Sequence, residues 1–361
     1  MAIEFKYAMP VDQTEWLVSG TASTAFRWDY DASHEGLLRL YDKGKKQQWD
    51  AKDRIDWNQD LDPENPVGLP DESIGIFGSD IWKKLTPKER ANLRRHAQAY
   101  FISQFLHGEQ GALVCAAKIV QEVPDITSKL YAATQTIDEA RHVEAYSRLL
   151  REKFELAYPV TAPLKVLLEN VISDSRWDFT HLGMQVLIEG LALASFQRLR
   201  DQAGNQLVAS INAYVMQDEA RHVAFGRIAL RDYYPQLTQK ERDEREEFVV
   251  ESCYHMRDRF HSSEIWDTVG LPAKECIEIT INAPSTRYVL SRLFSRIVPT
   301  IKDIGLWGKK VQKAFGDMGV LELADLNIEE ISEQDNRIAQ EFDVRRLELK
   351  ENAAVAKQSI G

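Results

Sequence analysis

The chain has 361 residues, 44% hydrophobic and 28% charged, enough to bury a large core without disulfides or structural metals in its place. Its 45 Lys and Arg against 56 Asp and Glu leave a net charge of −11, which excludes nucleic acid as a default partner because that affinity comes from clustered basic charge. Cys115, Cys253 and Cys276 form no Cys-x-x-Cys, and no uninterrupted apolar run reaches the roughly 18 residues of a membrane span, so the expectation is a cytoplasmic protein with free thiols and no membrane contact.

Residues 1–88 hold five of the eight tryptophans (Trp16, Trp28, Trp49, Trp57, Trp82) and a Pro/Gly-rich stretch, and show no sustained helical period. They read as an irregular arm packed on a core. From Thr86 the character changes: Thr86 as N-cap, Pro87 at the first helical position and Glu89 three residues on announce a long helix. Long helices follow to about residue 262, broken at Val123-Pro124-Asp125, Tyr158-Pro159 with Pro163, Gly204-Asn205 and Tyr234-Pro235. Residues 263–361 read as a helical extension whose last segment spaces Ile331, Ile338 and Phe342 at helical intervals, as in a docked surface helix. The expected class is all-α, with 89–262 as the central bundle and the three parts forming one structural unit.

An internal repeat organises that bundle. An offset of 80 residues aligns Asp138-Glu139-Ala140-Arg141-His142-Val143 with Asp218-Glu219-Ala220-Arg221-His222-Val223, and Glu109, Ala112 and Leu113 with Glu189, Ala192 and Leu193. Two copies of one helical hairpin are expected.

Glu-x-x-His puts a carboxylate and an imidazole on one helix face, but alone it means little. Asp31/His34, Asp178/His181 and Asp258/His261 have the same spacing and read as ordinary pairings. The hairpins make the difference. Glu109 and Glu139 lie 30 residues apart with Pro124 halfway, so a helix rising roughly 22 Å and returning as far brings them level. Glu189 and Glu219 repeat this about Gly204. Packed together, the hairpins place four glutamates and two histidines in an interior otherwise lined by residues such as Phe105, Leu106, Ala112, Val186 and Phe196. Four buried carboxylates without counter-charge are prohibitively costly, whereas two divalent ions balance them. Oxygen ligands with imidazole, and no thiolate nearby, suit iron or manganese rather than a zinc-finger type site.

One Glu from each of two helices plus Glu-x-x-His from each of two others is the pattern of ferritin-like di-iron carboxylate proteins. Residues 90–235 resemble that oxygenase superfamily, which includes monooxygenase hydroxylases, desaturases and the ribonucleotide reductase small subunit; the doubled Asp-Glu-Ala-Arg-His is most similar to the monooxygenase branch. The resemblance implies a ferritin-like four-helix bundle. It implies metal ligation by Glu109, Glu139, His142, Glu189, Glu219 and His222, with Asp138 and Asp218 orienting the histidines and Arg141 and Arg221 pairing to those aspartates. Two iron ions, or a manganese/iron pair, and O2 as co-substrate are implied.

The function expected is a di-iron monooxygenase that hydroxylates a small apolar or aromatic substrate. With no flavin fingerprint or cysteine cluster, electrons are expected from a separate reductase or ferredoxin, and the protein is expected to form a homo-oligomer, a dimer. Three alternatives compete. A radical-generating reductase subunit would use Tyr146, one turn after His142, but no tyrosine follows Tyr288 to pass a radical onward. Arylamine N-oxygenases carry a further histidine one turn before the second Glu-x-x-His, where this chain has Val215. Iron storage needs far fewer residues and leaves the arm and the last 125 or so residues unexplained. The hydroxylases often carry a threonine where this chain has Leu193. Gln135 and Gln185, each one turn before a glutamate, are expected as core hydrogen-bonding residues. Cys253, His255 and His261 read as structural, and Lys309, Lys310 and Lys313 as a solvated face.

Overall fold

The computed structural model describes residues 8–9, 24–25, 34–258 and 262–358, and among them the chain is helical with no β-sheet. Two hairpins make the centre. After α1 (Glu35–Lys46), α2 (Pro87–Glu122) opens with the reciprocal cap expected at Thr86: its hydroxyl accepts from the Glu89 amide while the Glu89 carboxylate accepts from the Thr86 amide. The chain turns at Val123-Pro124, and Asp125 caps α3 (Ile126–Leu149) by accepting from the Ser128 amide. Next come α4 (Ala162–Ser173) and the continuous helix α5 (Trp177–Gln202), followed by a tight turn in which the Asn205 side chain caps α6 (Gln206–Tyr233). That turn fits under the arm only because Gly204 meets Gly68: a Cβ on Gly68 would lie 2.7 Å from the Gly204 Cα.

α2 packs along α3 and α5 along α6, and α3 meets α6 across the middle. α7 (Gln239–Asp258) lies beside α4, α8 (Pro284–Leu293) beside α5, and α9 (Ile328–Gln358) along α6. One apolar cluster joins the arm's Trp49, Trp57 and Trp82 to Tyr146, Phe196 and Tyr214; a second gathers Leu182, Leu187, Val249 and Phe294 under the C-terminal helices.

Three details differ from the sequence reading. The arm is not wholly irregular, because Glu35–Lys46 is a helix. Its apolar residues are few and diluted by charge, yet Leu37 is buried against Tyr131 and Phe225, and the buried Gly44 faces Thr134 and Tyr131. Trp16, Trp28, Asp31 and His261 lie outside the described residues. α5 is long and apolar enough to cross a membrane, but 89% of its most apolar window is buried within the fold, as in a core helix. In α9, Phe342 packs on the core as its spacing suggests, but the buried positions among the described residues are Ile328, Asp335 and Ala339; Asp335 pairs with Arg200 at 3.2 Å and Arg296 at 2.7 Å.

Candidate metal centre

The hairpin geometry brings six side chains to one level in the bundle. α2 presents Glu109, α3 Glu139 and His142, α5 Glu189, and α6 Glu219 and His222, each no more than 4% exposed. They fall into two overlapping groups, Glu109/Glu139/His142/Glu219 and Glu139/Glu189/Glu219/His222, with the ligand atoms of each group within 4.8 Å of one another. Glu139 and Glu219 belong to both groups, so they are the carboxylates placed to be shared, with Glu109 and Glu189 at the two ends. His142 Nδ1 lies 3.1 Å from Glu109, 3.3 Å from Glu139 and 3.0 Å from Glu219. His222 Nδ1 lies 3.0 Å from Glu139 and 3.4 Å from Glu219.

The support behind the histidines crosses between the hairpins. His142 Nε2 meets Asp218 at 3.1 Å, and His222 Nε2 meets Asp138 at 3.2 Å, so each imidazole is oriented by the other repeat's aspartate. Arg141 donates to Asp138 and, at 3.1 Å, to Asp218; Arg221 donates to Asp218 and lies 3.7 Å from Asp138. The arm completes this layer. Trp49 Nε1 donates to Asp218 at 2.7 Å, Gln48 to Asp138 at 2.7 Å, and Gln47 accepts from Arg221 at 2.7 Å. Sequence reasoning missed these three arm residues; the only signal was the density of tryptophan. Gln135 donates to Glu139 at 3.0 Å and to Glu189 at 2.9 Å, and accepts from Gln185 at 3.3 Å.

Electrostatics point to cations. Burial first, then neighbouring carboxylates, hold Glu109 and Glu189 well above the usual carboxylate range. Burial resists charge on His142 and His222 too, but Glu109 beside the one and Glu139 beside the other raise both well above an ordinary histidine. Glu139 goes the other way, because His222 and His142 outweigh its burial and hold it low. The decisive observation is a set of buried atoms that make no hydrogen bond and face one another across the centre: Glu139 Oε2, Glu189 Oε2, both oxygens of Glu219 and His222 Nδ1 all converge on this level. Buried orphans are rare, and these carry the lone pairs that hard divalent ions take. Four glutamates and two histidines therefore fit a di-iron centre.

A small cavity of about 30 Å³ borders Glu109, Glu189 and Glu219 on one side, walled by Phe105, Ala112, Leu164, Ile188 and Phe196. The segment Leu182–Ile188 of α5, immediately before Glu189, is π-helical, an irregularity common at functional sites. Tyr146 is fully buried beside Phe105 and Phe196 and donates to Asn212 at 3.1 Å. Val215 and Leu193 are buried and apolar. His181, pushed down to about 3 by burial, packs on Phe225 and joins neither group, while Asp178 pairs with Arg245 at 2.9 Å. His34 pairs instead with Asp232 at 2.8 Å. Cys253 is buried, His255 lies 3.9 Å from Glu251, and Lys310 and Lys313 pair with Glu247 and Asp317 on an exposed face.

The sequence model of the family described as P-aminobenzoate N-oxygenase AurF matches residues 31–305. No curated protein sequence matches the chain. Among solved structures, the chain is similar to "Protein 19 with aldehyde deformylating oxidase activity from Synechococcus" at 15% identity and a TM-score of 0.47, over 62% of this chain and 97% of that one.

Proposed function

The chain belongs to the P-aminobenzoate N-oxygenase AurF family, within the ferritin-like di-iron carboxylate oxygenases, and from that premise we propose that it transfers one oxygen atom of O2 to a small organic molecule whose apolar or aromatic part lies beside Glu109 and Glu189. The convergence of partnerless buried carboxylate oxygens and imidazole nitrogen carries this reading. Two iron ions held there would supply the redox chemistry of O2. The chain's own residues do the rest. Asp218 and Asp138 hold the Nε2 sides of His142 and His222, so both Nδ1 atoms face the centre. Gln135 fixes one oxygen each of Glu139 and Glu189, leaving the other free. Phe105, Leu164 and Phe196 keep bulk water from the cavity. The second oxygen atom leaves as water, which requires two electrons and two protons, and the cysteines are single and buried. A separate reductase or ferredoxin is the proposed source.

N-oxygenation of an arylamine is the second reading, favoured by the family match; Val215 stands where such enzymes carry a further histidine. The test mixes anaerobically iron-loaded protein with O2 in a stopped-flow spectrometer, with p-aminobenzoate, other aromatic compounds or no addition. An oxygenase gives an absorbing species whose decay one substrate accelerates, with ¹⁸O from O2 in the product. A persistent tyrosyl-radical band, lost in Tyr146→Phe and indifferent to substrate, would overturn the proposal in favour of a radical-generating subunit.

A further inference from the structure

The cavity beside the centre is the innermost of three that adjoin one another. It shares Gln104, Phe105 and Ser195 with a second cavity of about 70 Å³, walled mainly by apolar residues such as Val67, Leu69, Phe101 and Leu199. That neck in turn shares Ser73, Arg198, Val289 and Leu293 with a surface groove of about 820 Å³ between α5, α8 and the start of α9. The two hairpins build the walls with a common logic. On α2, Glu109, Phe105, Phe101 and Ala97 follow at four-residue steps and the row ends at Arg94; on α5, Glu189, Ala192, Ser195 and Arg198 follow at three-residue steps. Each row begins at a glutamate of the centre and ends at an arginine, with only small or aromatic side chains between.

The two arginines differ. Arg94 is neutralised by Asp71 at 2.7 Å. Arg198 is half-buried and donates to Gln202 at 3.1 Å, but it has no carboxylate partner among the described residues, and burial alone pushes its pKa down. Elsewhere on this wall Arg296 pairs with Asp335, which also takes Arg200, and Asp201 pairs with Arg200; Glu72 and Arg292 line the outer groove only, whereas Arg198 lines both groove and neck. An arginine that loses hydration without gaining a counter-ion is costly in the empty protein and ready for an anion that accepts its paired N–H groups.

We propose that this route is the substrate channel and that Arg198 is its specificity-determining residue, anchoring the carboxylate of an elongated amphiphile whose apolar chain fills the neck and ends at the metal centre. This rests on the oxygenase reading above. Nine residues of helix separate Glu189 from Arg198, a rise of about 13.5 Å. An extended chain advances roughly 1.2 Å per bond, so about eleven bonds lie between the carboxylate and the atom oxidised. A compact arylamine acid would be too short to reach both ends at once.

The test measures binding by calorimetry on the iron-loaded, full-length protein under argon, so it does not depend on turnover. Decanoate and 1-decanol are the probes, with Arg198→Ala, Arg198→Lys and Ser195→Trp as variants. Decanoate is expected to bind at least tenfold more tightly than decanol. Arg198→Ala should remove that advantage while leaving decanol affinity unchanged, Arg198→Lys should restore part of it, and Ser195→Trp in the neck should weaken both ligands. Unchanged decanoate affinity in Arg198→Ala, as when the carboxylate sits on iron instead, overturns the proposal, as does equal affinity of the two probes for the unaltered protein. Failure here with substrate-dependent O2 chemistry intact would fault the channel alone; loss of that chemistry as well would fault the oxygenase reading.

Discussion

The two hairpins carry the same acids and histidines at the same spacing, yet they are not the same environment. In the first, one turn before Glu139, Gln135 ties Glu139 and the facing Glu189. In the second, the residue one turn before Glu219 is the buried Val215, and neither oxygen of Glu219 has a hydrogen-bond partner. Both hairpins contain a π-helical segment, but the first, Leu150–Phe154, follows the ligands of α3, while the second, Leu182–Ile188, directly precedes Glu189 and is seated against Gly226 so closely that a Cβ there would lie 2.6 Å from the Gln185 Cβ. Duplication thus preserved the ligating atoms and let their surroundings diverge. The two metal positions are chemically unequal although the side chains that define them are paired.

The largest effects should fall on what the hairpins share. Glu139→Ala and Glu219→Ala, at the carboxylates common to both groups, should each abolish stoichiometric iron binding, whereas Glu109→Ala and Glu189→Ala should each spare one ion, as read by anaerobic Fe(II) titration. Retention of both ions in Glu139→Ala and Glu219→Ala would falsify the shared-ligand assignment. Next come the crossed aspartates. Asp138→Asn and Asp218→Asn should each weaken iron affinity by about 10–100-fold, and more for Asp218, where the arm contact is the buried Trp49 rather than the part-buried Gln48; equal losses would show that the two arm contacts support the centre alike.

A pH series sharpens the electrostatic side. Glu109, Glu189, His142 and His222 all have raised pKa values in the metal-free fold. Each therefore contributes stability that is present below its ordinary pKa and is lost as pH climbs toward the raised one. Between pH 6 and 8 the metal-free protein should lose stability, by about 1.4 kcal/mol per pH unit for each proton retained, and iron affinity should rise about tenfold per unit for each proton displaced. Calorimetric melting of loaded and metal-free protein should show the gap widening with pH; a constant gap would mean the site holds no excess protons. The smallest contrast concerns two glycines. Gly226→Ala should cost about 1–3 kcal/mol by forcing the π-helical segment away, while Gly108→Ala on the first hairpin, where a Cβ meets nothing within 4 Å, should gain about 0.5–1 kcal/mol. Urea unfolding of the loaded protein distinguishes the two signs.

What could be read from the sequence was what repeats or punctuates. The 80-residue offset, the Thr86 cap, Pro124 and the Gly204-Asn205 turn are local signals, and they sufficed to place the six ligand candidates at one level. The pairing of each histidine with the opposite repeat's aspartate was not legible, because repetition shows that two motifs are alike and not which way they face. Trp49 reaches Asp218 across 169 positions, and nothing local to either residue marks that contact. The π-helical segment before Glu189 was equally hidden: its apolar run suits an ordinary helix, and the close approaches of Gly183 to Val171 and of Gly226 to Gln185 that accompany it are tertiary contacts.

The crossed aspartates also bear on how the protein opens. Because His142 leans on α6 and His222 on α3, neither hairpin can swing out without disordering ligands in both groups. Once iron is bound, amides in the middle of α3 and α6 should therefore exchange with deuterium as a single cooperative unit, and a protease should meet either the closed bundle or none of it.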